Sequence, residues 1–420
     1  MISAQNRLPL LSGNKRLLFF TIALLLAACS PKVRPVATTV KKPADNVTKK
    51  PETATEKQPE KAAEGKVATI SMILPFGLEH LNPAQRYSPA GLSKANMSVE
   101  YYQGFKLALD SLTADGSNFK LQVFDDSQDE TMQTRGLALN PAVRSADLIV
   151  GPVFPQSIKA FNAALSYSKG IIVSPLSPAN PATVNRPNLV TVIPPLEYHA
   201  WGAAEYINKT VKPKKIFILR SGFNQEKDYA VNFKKAIDSL SKKKVKVVTL
   251  FVVRGNLSTL LPQLSKTEKN VFVVPAIDQA FLGVTLRSLD TLNKHYPVML
   301  FGHPNWEKFS FLKPQLLQRL QTHITSTEKI NYKAAATITF LRNYRKAYHV
   351  EPTEYAIKGF DEGLYFGKLL FADKGVAAID QTDFTGLHNS FHFIKKPALG
   401  WVNTHVNILT YTNFELKQVE

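Results

Sequence analysis

Between Phe119 and Pro181, three short apolar runs alternate with segments of helical periodicity: Leu121 to Phe124, Leu148 to Val150 and Ile171 to Val173. Each run ends in turn-forming or small polar residues, in FDDSQDE, VGPVFPQS and VSPLSPANP. This alternation predicts βαβ units in a parallel sheet. Functional loops in such sheets lie just past the carboxyl ends of the strands, so the three loops are expected to converge at one edge of a cleft.

The flanking sequence extends the pattern. VATISMILP (67–75) reads as a first strand. A helix predicted to open at Ser98 puts Val99, Tyr102, Phe105, Leu109 and Leu112 on one face. Helices are expected over 130–139 and 156–167, the latter stopping at Gly170. A second series then runs helix 196–209, strand 214–219, a helix aligning Tyr229, Phe233, Ile237 and Leu240, and strand 245–253. It continues with helix 257–265, strand 270–275, helix 279–292 and strand 297–302. That makes a second α/β lobe of similar size. Two further helices align Ile338, Leu341, Tyr344 and Tyr348, and Ala356, Phe360, Leu364 and Leu370. The tail from Phe384 alternates like a hairpin closing a sheet. At 420 residues and 44% hydrophobic, the chain is long enough for two lobes with real cores.

The first residues are of a different kind. Arg7, Lys15 and Arg16 precede an apolar run from Leu17 to Leu26, too short to span a bilayer, so residues 1–28 are expected to be a signal peptide. The run ends in Leu26-Ala27-Ala28-Cys29, which resembles the lipobox of bacterial lipoproteins. The resemblance implies that Cys29 is lipidated and anchors the chain to a membrane. Cys29 is the only cysteine, so no disulfide is expected. Residues 30–66 lack aromatics and are rich in Pro, Lys, Thr, Ala and Glu, which predicts a disordered tether with an end-to-end distance of about 30 to 35 Å.

The formal charge is +19, of which about +12 belongs to the folded part. A basic surface favours polyanions, yet no aromatic-studded basic helix or RNA-binding motif supports nucleic acid as a partner. There is no GxSxG, no P-loop and no GxGxxG, and no catalytic residue or cofactor is expected. DDSQDE lacks the glycine of a Ca²⁺ loop, and His388 with His392 reads as ordinary strand histidines, so no metal is expected either. Trp306 follows a strand end, where it would stack on a ligand or pack in the lobe. Trp201 reads as core and Trp401 as hinge packing.

Over residues 67–420 the chain resembles the type 1 periplasmic binding proteins, in particular the branched-chain amino acid (Leu/Ile/Val) branch of extracellular ligand-binding lipoproteins. The matching stretches are ATISMILPF, YYQGFKLALDSL, FKLQVFDDSQDE, ADLIVGPVFPQS, GIIVSPLSPANP, TVKPKKIFILR and FLRNYRKAYHVEPTEYAIKGFDEGLYFGKLL. The resemblance implies an α/β fold of two Rossmann-like lobes joined by three crossings, with a ligand clamped between them by hinge closure. Crossings are expected near 193, 326 and 399. The first lobe would then be 67–193 plus 327–398, and the second 194–326 plus 399–420. The resemblance also implies a cleft at the strand-end loops, where Gln156, Ser157, Ser177, Asn224, Asp278, His303, Asn305 and Trp306 are expected to line it.

The amino acid contacts of that family do not carry over. Its serine falls at Pro155, its alanine and threonine at Leu176 and Pro178, and its tyrosine-glycine pair at Gln225-Glu226. Its glycine-rich turn becomes Pro275 to Asp278, and its acidic residue Pro304. Each loss removes a bond that a desolvated zwitterion needs, at roughly 1 to 3 kcal/mol apiece. The expected function is a lipid-anchored, non-enzymatic solute-binding protein that captures a small molecule for an ABC-type permease or sensor. The alternative is an envelope interaction protein, similar to lipoprotein activators that partner a peptidoglycan synthase. The expected location is the periplasmic face of the envelope, and Ser30 after the cysteine fits outer-membrane sorting.

Overall fold

The computed structural model describes residues 65–78, 88–126, 131–179 and 184–419. The expected signal peptide, Cys29 and the tether up to residue 64 lie outside the described residues. No helix among the described residues is long and apolar enough to cross a membrane.

The first lobe begins with β1 (Val67–Leu74), α1 (Pro89–Ala114), β2 (Asn118–Asp125), α2 (Thr131–Leu139) and α3 (Pro141–Arg144). It continues with β3 (Leu148–Val150), α4 (Pro155–Ala164), β4 (Ile171–Ser174) and β5 (Leu189–Thr191). The chain then crosses into α5 (Leu196–Tyr206), β6 (Lys215–Arg220), α6 (Lys227–Leu240), β7 (Lys246–Phe251), β8 (Asn270–Val274) and α7 (Gln279–Leu292). β9 (Val298–Gly302), α8 (Pro314–Arg319) and β10 (His323–Ser326) follow. It returns through α9 (Ala335–Tyr348), α10 (Glu354–Phe371), β11 (Phe384–Thr385), β12 (Ser390–Phe391), β13 (Phe393–Lys396) and β14 (Gly400–Asn403). It ends with β15 (Asn407–Thr412) and β16 (Glu415–Gln418) in the second lobe.

The two sheets share one core topology and differ at the added edge, where β14 joins β5 parallel and β15 joins β10 antiparallel. The first runs β13-β14-β5-β4-β3-β1-β2 and the second β16-β15-β10-β9-β8-β6-β7. In each, five parallel strands follow the doubly wound order 2-1-3-4-5, with the last-written strands added at one edge. Central strands such as β3, β8 and β9 are buried throughout, because helices clad both faces of a parallel sheet. The first sheet buries Phe105 and Phe366 on one face and Phe161 on the other. The second buries Leu286 and Trp306 on one face, Tyr229 and Phe233 on the other. Gly151, at φ +98°, ends β3 so close to β1 that a Cβ would lie 2.1 Å from the Ile73 carbonyl oxygen.

Several expectations are corrected. The first helix starts at Pro89 behind the N-cap Ser88, whose side chain accepts from Gly91 N. Ser98 lies inside it, bonded to the carbonyls of Lys94 and Pro75. Its buried face holds Tyr101, Gly104, Phe105, Ala108, Leu109 and Leu112, while Val99 is exposed. The face turns because α10 packs backbone to backbone against it. A Cβ on Gly104 would lie 1.8 Å from the Ala356 carbonyl oxygen, and one on Gly359 would lie 2.1 Å from that of Tyr101. On α10 the buried set accordingly includes Gly359, Asp361, Glu362 and Gly363, whereas Phe360 and Leu364 are only half-buried. α4 ends at Ala164, well before Gly170.

The tail does not close one sheet. β13 and β14 pair with each other and extend the first sheet through β5, while β15 and β16 complete the second through β10. The third crossing therefore runs through 404–406, not near 399, because Gly400–Asn403 is hydrogen-bonded into the first lobe. Trp201, expected in the core, is 38% exposed: α5 buries His199, Ala200, Ala203 and Ala204 instead. Trp401 lies in β14, with the Lys395 ammonium 3.2 Å from its ring centroid.

Candidate functional site

The carboxyl ends of strands from both sheets open onto one cavity of about 550 Å³. Leu176 and Pro178, just past β4, come from the first lobe. Gln225 follows β6, Ile277 follows β8, and His303 to Asn305 follow β9 in the second. The first crossing contributes Ile193 and Pro194, the second Thr327 and Glu328, and the first turn of α10 adds Glu354, Tyr355 and Lys358. The wall is thus apolar at the first-lobe strand end, and mostly polar or charged at the second-lobe strand ends and where the chain crosses. A larger groove of about 1110 Å³ runs outside the first lobe along α9 and α10. The cleft is the stronger candidate, because it alone of the two gathers strand ends across the switch point of both sheets.

The polar groups form a connected set. Lys358, 6% exposed, puts its ammonium 2.6 Å from Glu328 Oε1, and His388 Nε2 lies 3.7 Å from the other carboxylate oxygen. His388 Nδ1 lies 2.5 Å from Asn389 Oδ1. Burial would raise the Glu328 carboxyl, but the Lys358 ammonium outweighs it and holds Glu328 below the usual carboxylate range. Ser326 Oγ lies 2.9 Å from the Glu328 carbonyl, to which it donates, and 3.3 Å from Glu307 Oε2 as the alternative acceptor. Two imidazoles complete the wall. His303 Nδ1 accepts from Asn305 N at 3.1 Å, and His199 Nδ1 lies 2.8 Å from Thr325 Oγ1. Burial pushes His303 down to about 4. Burial and the neighbouring His303 push His199 down to about 3, so both rings are neutral at pH 7.

Among the described residues, the donor atoms of Glu328, Glu354 and His388 approach within 4.8 Å of one another, a spacing that could hold a metal ion. The Lys358 ammonium already sits in this group as its cation. A divalent ion there would meet like charge in a poorly solvated site.

No family model matches the chain, and neither does any curated protein. Solved structures do match. A putative branched-chain amino acid ABC transporter protein from Rhodospirillum rubrum is 12% identical with a TM-score of 0.58, covering 84% of this chain and all of its own. The ABC transporter substrate-binding protein from Desulfitobacterium hafniense in complex with Leu is 14% identical with a TM-score of 0.51, at the same coverage. The fold is that of the type 1 periplasmic binding proteins. Full-length LpoA from Haemophilus influenzae shares it at 11% identity and a TM-score of 0.54, and this chain spans 59% of that one.

Of the positions where the family's amino acid contacts fall, Pro155 and Glu226 do not line the cleft, and five others do. Leu176, Pro178, Gln225, Ile277 and Pro304 all line it, and none offers a charge. Of the residues expected to line it, His303 and Asn305 do. Trp306 does not. It is 1% exposed and donates from Nε1 to the Ala276 carbonyl at 2.8 Å inside the second core, since the backbone turn after β9 points it beneath the sheet end. Asp278 caps α7 by accepting from Phe281 N. Gln156 and Asn224 are exposed outside the cavity, and Ser157 and Ser177 are buried beside it in the first lobe. His388 and His392 go to different partners, the latter exposed and 2.7 Å from Asp383.

Sequence reasoning missed His199, Glu307, Glu328, Glu354 and Lys358. The one available signal was the pair Glu354 and Lys358, four apart at the start of α10 and hence on one helix face.

Proposed function

We propose that the chain is a solute receptor that holds a small molecule between its lobes, lipid-anchored through Cys29 and serving an ABC-type transporter or sensor. The observation that carries this reading is the convergence of strand ends from both sheets, with two chain crossings, on one cavity of about 550 Å³. That volume suits a small metabolite. Three carboxylates, Glu307, Glu328 and Glu354, face two ammoniums, Lys308 and Lys358, beside neutral imidazoles. The balance favours a neutral or amine-bearing ligand with an apolar body over an acid. The chain performs no catalysis in this reading.

Thermal melting of the protein against pools of amines, neutral metabolites and acids tests it, since a ligand at a hundred times its Kd adds about 2.7 kcal/mol. Small-angle scattering with the best pool should show a more compact particle as the lobes close. If no pool shifts the transition, nothing is released on denaturation and the particle does not contract, the receptor reading fails.

A second reading is favoured by one observation: the Glu328 carboxylate is already neutralised by the chain's own Lys358, and the positions of the family's amino acid contacts that line the cleft carry no charge. Such a cleft suits an interaction protein of the envelope, with a peptidoglycan synthase as the candidate partner. Crosslinking in cells that captured such a synthase, together with ligand-silent melting, would favour it. Crosslinking that captured only permease subunits would exclude it.

A further inference from the structure

The excess positive charge is carried almost wholly by the second lobe. Segments 67–193 and 327–403 hold 19 Lys and Arg against 17 Asp and Glu, whereas 194–326 and 404–420 hold 21 against 11. Within the second lobe much of that excess sits at one end. Three neighbouring strands, β7, β6 and β8, are each entered through lysines: Lys242, Lys243, Lys244 and Lys246, then Lys212, Lys214 and Lys215, then Lys266 and Lys269. The opposite ends of β6 and β8 open onto the cleft, so these nine ammoniums mark the far pole of the lobe. All are exposed except the half-buried Lys215. Parallel pairing sets Lys215 beside Lys246 in register, which places like charges on adjacent strands.

Few groups within the pole answer this charge: the Lys215 ammonium donates to the Gln263 carbonyl at 3.3 Å and lies 5.8 Å from the Phe217 ring centroid. The one carboxylate in the three entry segments is Glu268, 3.5 Å from Lys214, with both side chains mostly exposed. Beside it opens a cavity of about 800 Å³ lined by Lys212, Lys214, Lys215 and Lys269, with the Ser265 and Thr210 side chains on its wall. Like charges gathered in this way attract anions and repel one another when none is present.

The residue type narrows the partner. All nine cations are lysine, and none is arginine. They lack the planar fork that grips a single phosphate or carboxylate in two places, and act instead as separate point charges. The aromatic rings at the cavity are engaged elsewhere: Phe217 stacks on Phe272, and Tyr206 packs against Phe301 and His323. No ring is left to stack on a nucleobase. Point charges spread over a pole, around a concavity wide enough for a headgroup, suit a distributed negative surface. We propose that this pole of the second lobe docks on an anionic lipid bilayer, with headgroup phosphates entering the lysine-lined cavity.

The test uses the full chain with vesicles of phosphatidylcholine alone and with phosphatidylglycerol added. The apolar run Leu17 to Leu26 contributes alike to both, so the difference between them isolates charge. Each lysine at such a surface strengthens partitioning about fivefold. A variant with Lys212, Lys214, Lys243 and Lys246 all changed to Gln should therefore lose at least about tenfold on the anionic vesicles, even where the four act incompletely. A matched variant of exposed first-lobe lysines (Lys120, Lys159, Lys346 and Lys368, each to Gln) should stay within about twofold, and salt should weaken the wild type toward the first variant. Equal binding to both vesicle types, or equal losses in the two variants, overturns the proposal. Displacement of the protein by millimolar inorganic phosphate would also overturn it, since that marks a pocket for one anion. Melting curves of both variants that match the wild type establish that the losses are not unfolding.

Discussion

Glu328→Gln should be the most damaging conservative change in the cleft, and the reason lies in its partner. Lys358 is 6% exposed, and among the described residues its ion-pair partner is Glu328, 22% exposed, at 2.6 Å. Removing one member of a buried pair typically costs about 3 to 5 kcal/mol, because the other charge is left desolvated. Here the Tyr355 ring, 5.3 Å from the ammonium, and the nearby Glu354 recover part of that. The expected loss is about 2 to 3 kcal/mol. Lys358→Met leaves the wetter partner behind, so it should cost about 1 to 2 kcal/mol. The double variant leaves no orphaned charge and should lie within about 1 kcal/mol of the wild type, a coupling of about 2 kcal/mol or more. Urea unfolding of the four proteins measures it. The sign against pH follows from the direction of the shift. Glu328 is held below its ordinary value, so its contribution is present above about pH 4.5 and is lost as the pH falls through the native value. The coupling should shrink on acidification. If the two single losses simply add in the double variant at pH 7, the pair is not the desolvated unit described here.

Three further outcomes are expected. His199, His303 and His323 are buried with values pushed down to about 3, 4 and 4, so each binds a proton in the unfolded chain before it does in the native one. Stability should fall as the pH drops from about 6.5 toward 4, by up to about 1.4 kcal/mol per pH unit for each ring, and His303→Gln should flatten the slope in urea titrations. Asp361 works against this: burial raises it to about 6, so its contribution is fully present below about pH 3.8 and is lost as the pH rises through 6. Glu362 is wholly buried against the Tyr101 hydroxyl at 2.8 Å, and burial raises its carboxyl well above the usual range, which favours the uncharged form. Glu362→Gln should therefore change stability at pH 7 by less than about 1 kcal/mol, and a loss of several kcal/mol by denaturant titration would show that a charged Glu362 is needed. Finally, Gly359→Ala places a methyl 2.1 Å from the Tyr101 carbonyl oxygen. Neither helix backbone can yield cheaply, so the variant should lose about 3 kcal/mol or more by melting, and a neutral result would mean that α1 and α10 are not held this closely.

The two α/β lobes were legible because parallel strands buried on both faces must be continuous apolar runs, and their connecting helices must carry a periodic face. Of the three first-lobe loops expected to converge on the cleft, the cavity takes in the one after β4 through residues 176 and 178, where it meets residues 225, 277 and 304 of the second lobe; VGPVFPQS does not line it, and FDDSQDE lies partly outside the described residues. The two tryptophans read differently because periodicity ranks positions only by their own element. Trp201 has the spacing of a core residue but lies off the face that α5 buries. Trp306 has the position of a cleft residue, but its indole finds a carbonyl partner below the turn.

The order of elements and the doubly wound lobes are properties of the sequence, because they follow from local patterns and residue types read position by position; the loss of an amino acid's usual contacts is what the family resemblance implies. The charged floor of the cleft was decided by tertiary structure. Glu328 on a crossing, Lys358 on a helix pressed against α1 through glycines, and His388 on a loop some sixty residues from Glu328 meet only when the chain returns on itself. The split of the tail between the sheets was decided in the same way, by which edge strand had an unpaired ladder of backbone groups to receive it. Residue types and periods limit what each segment can become, but a hydrogen bond or ion pair depends on the partner that the folded chain brings within reach.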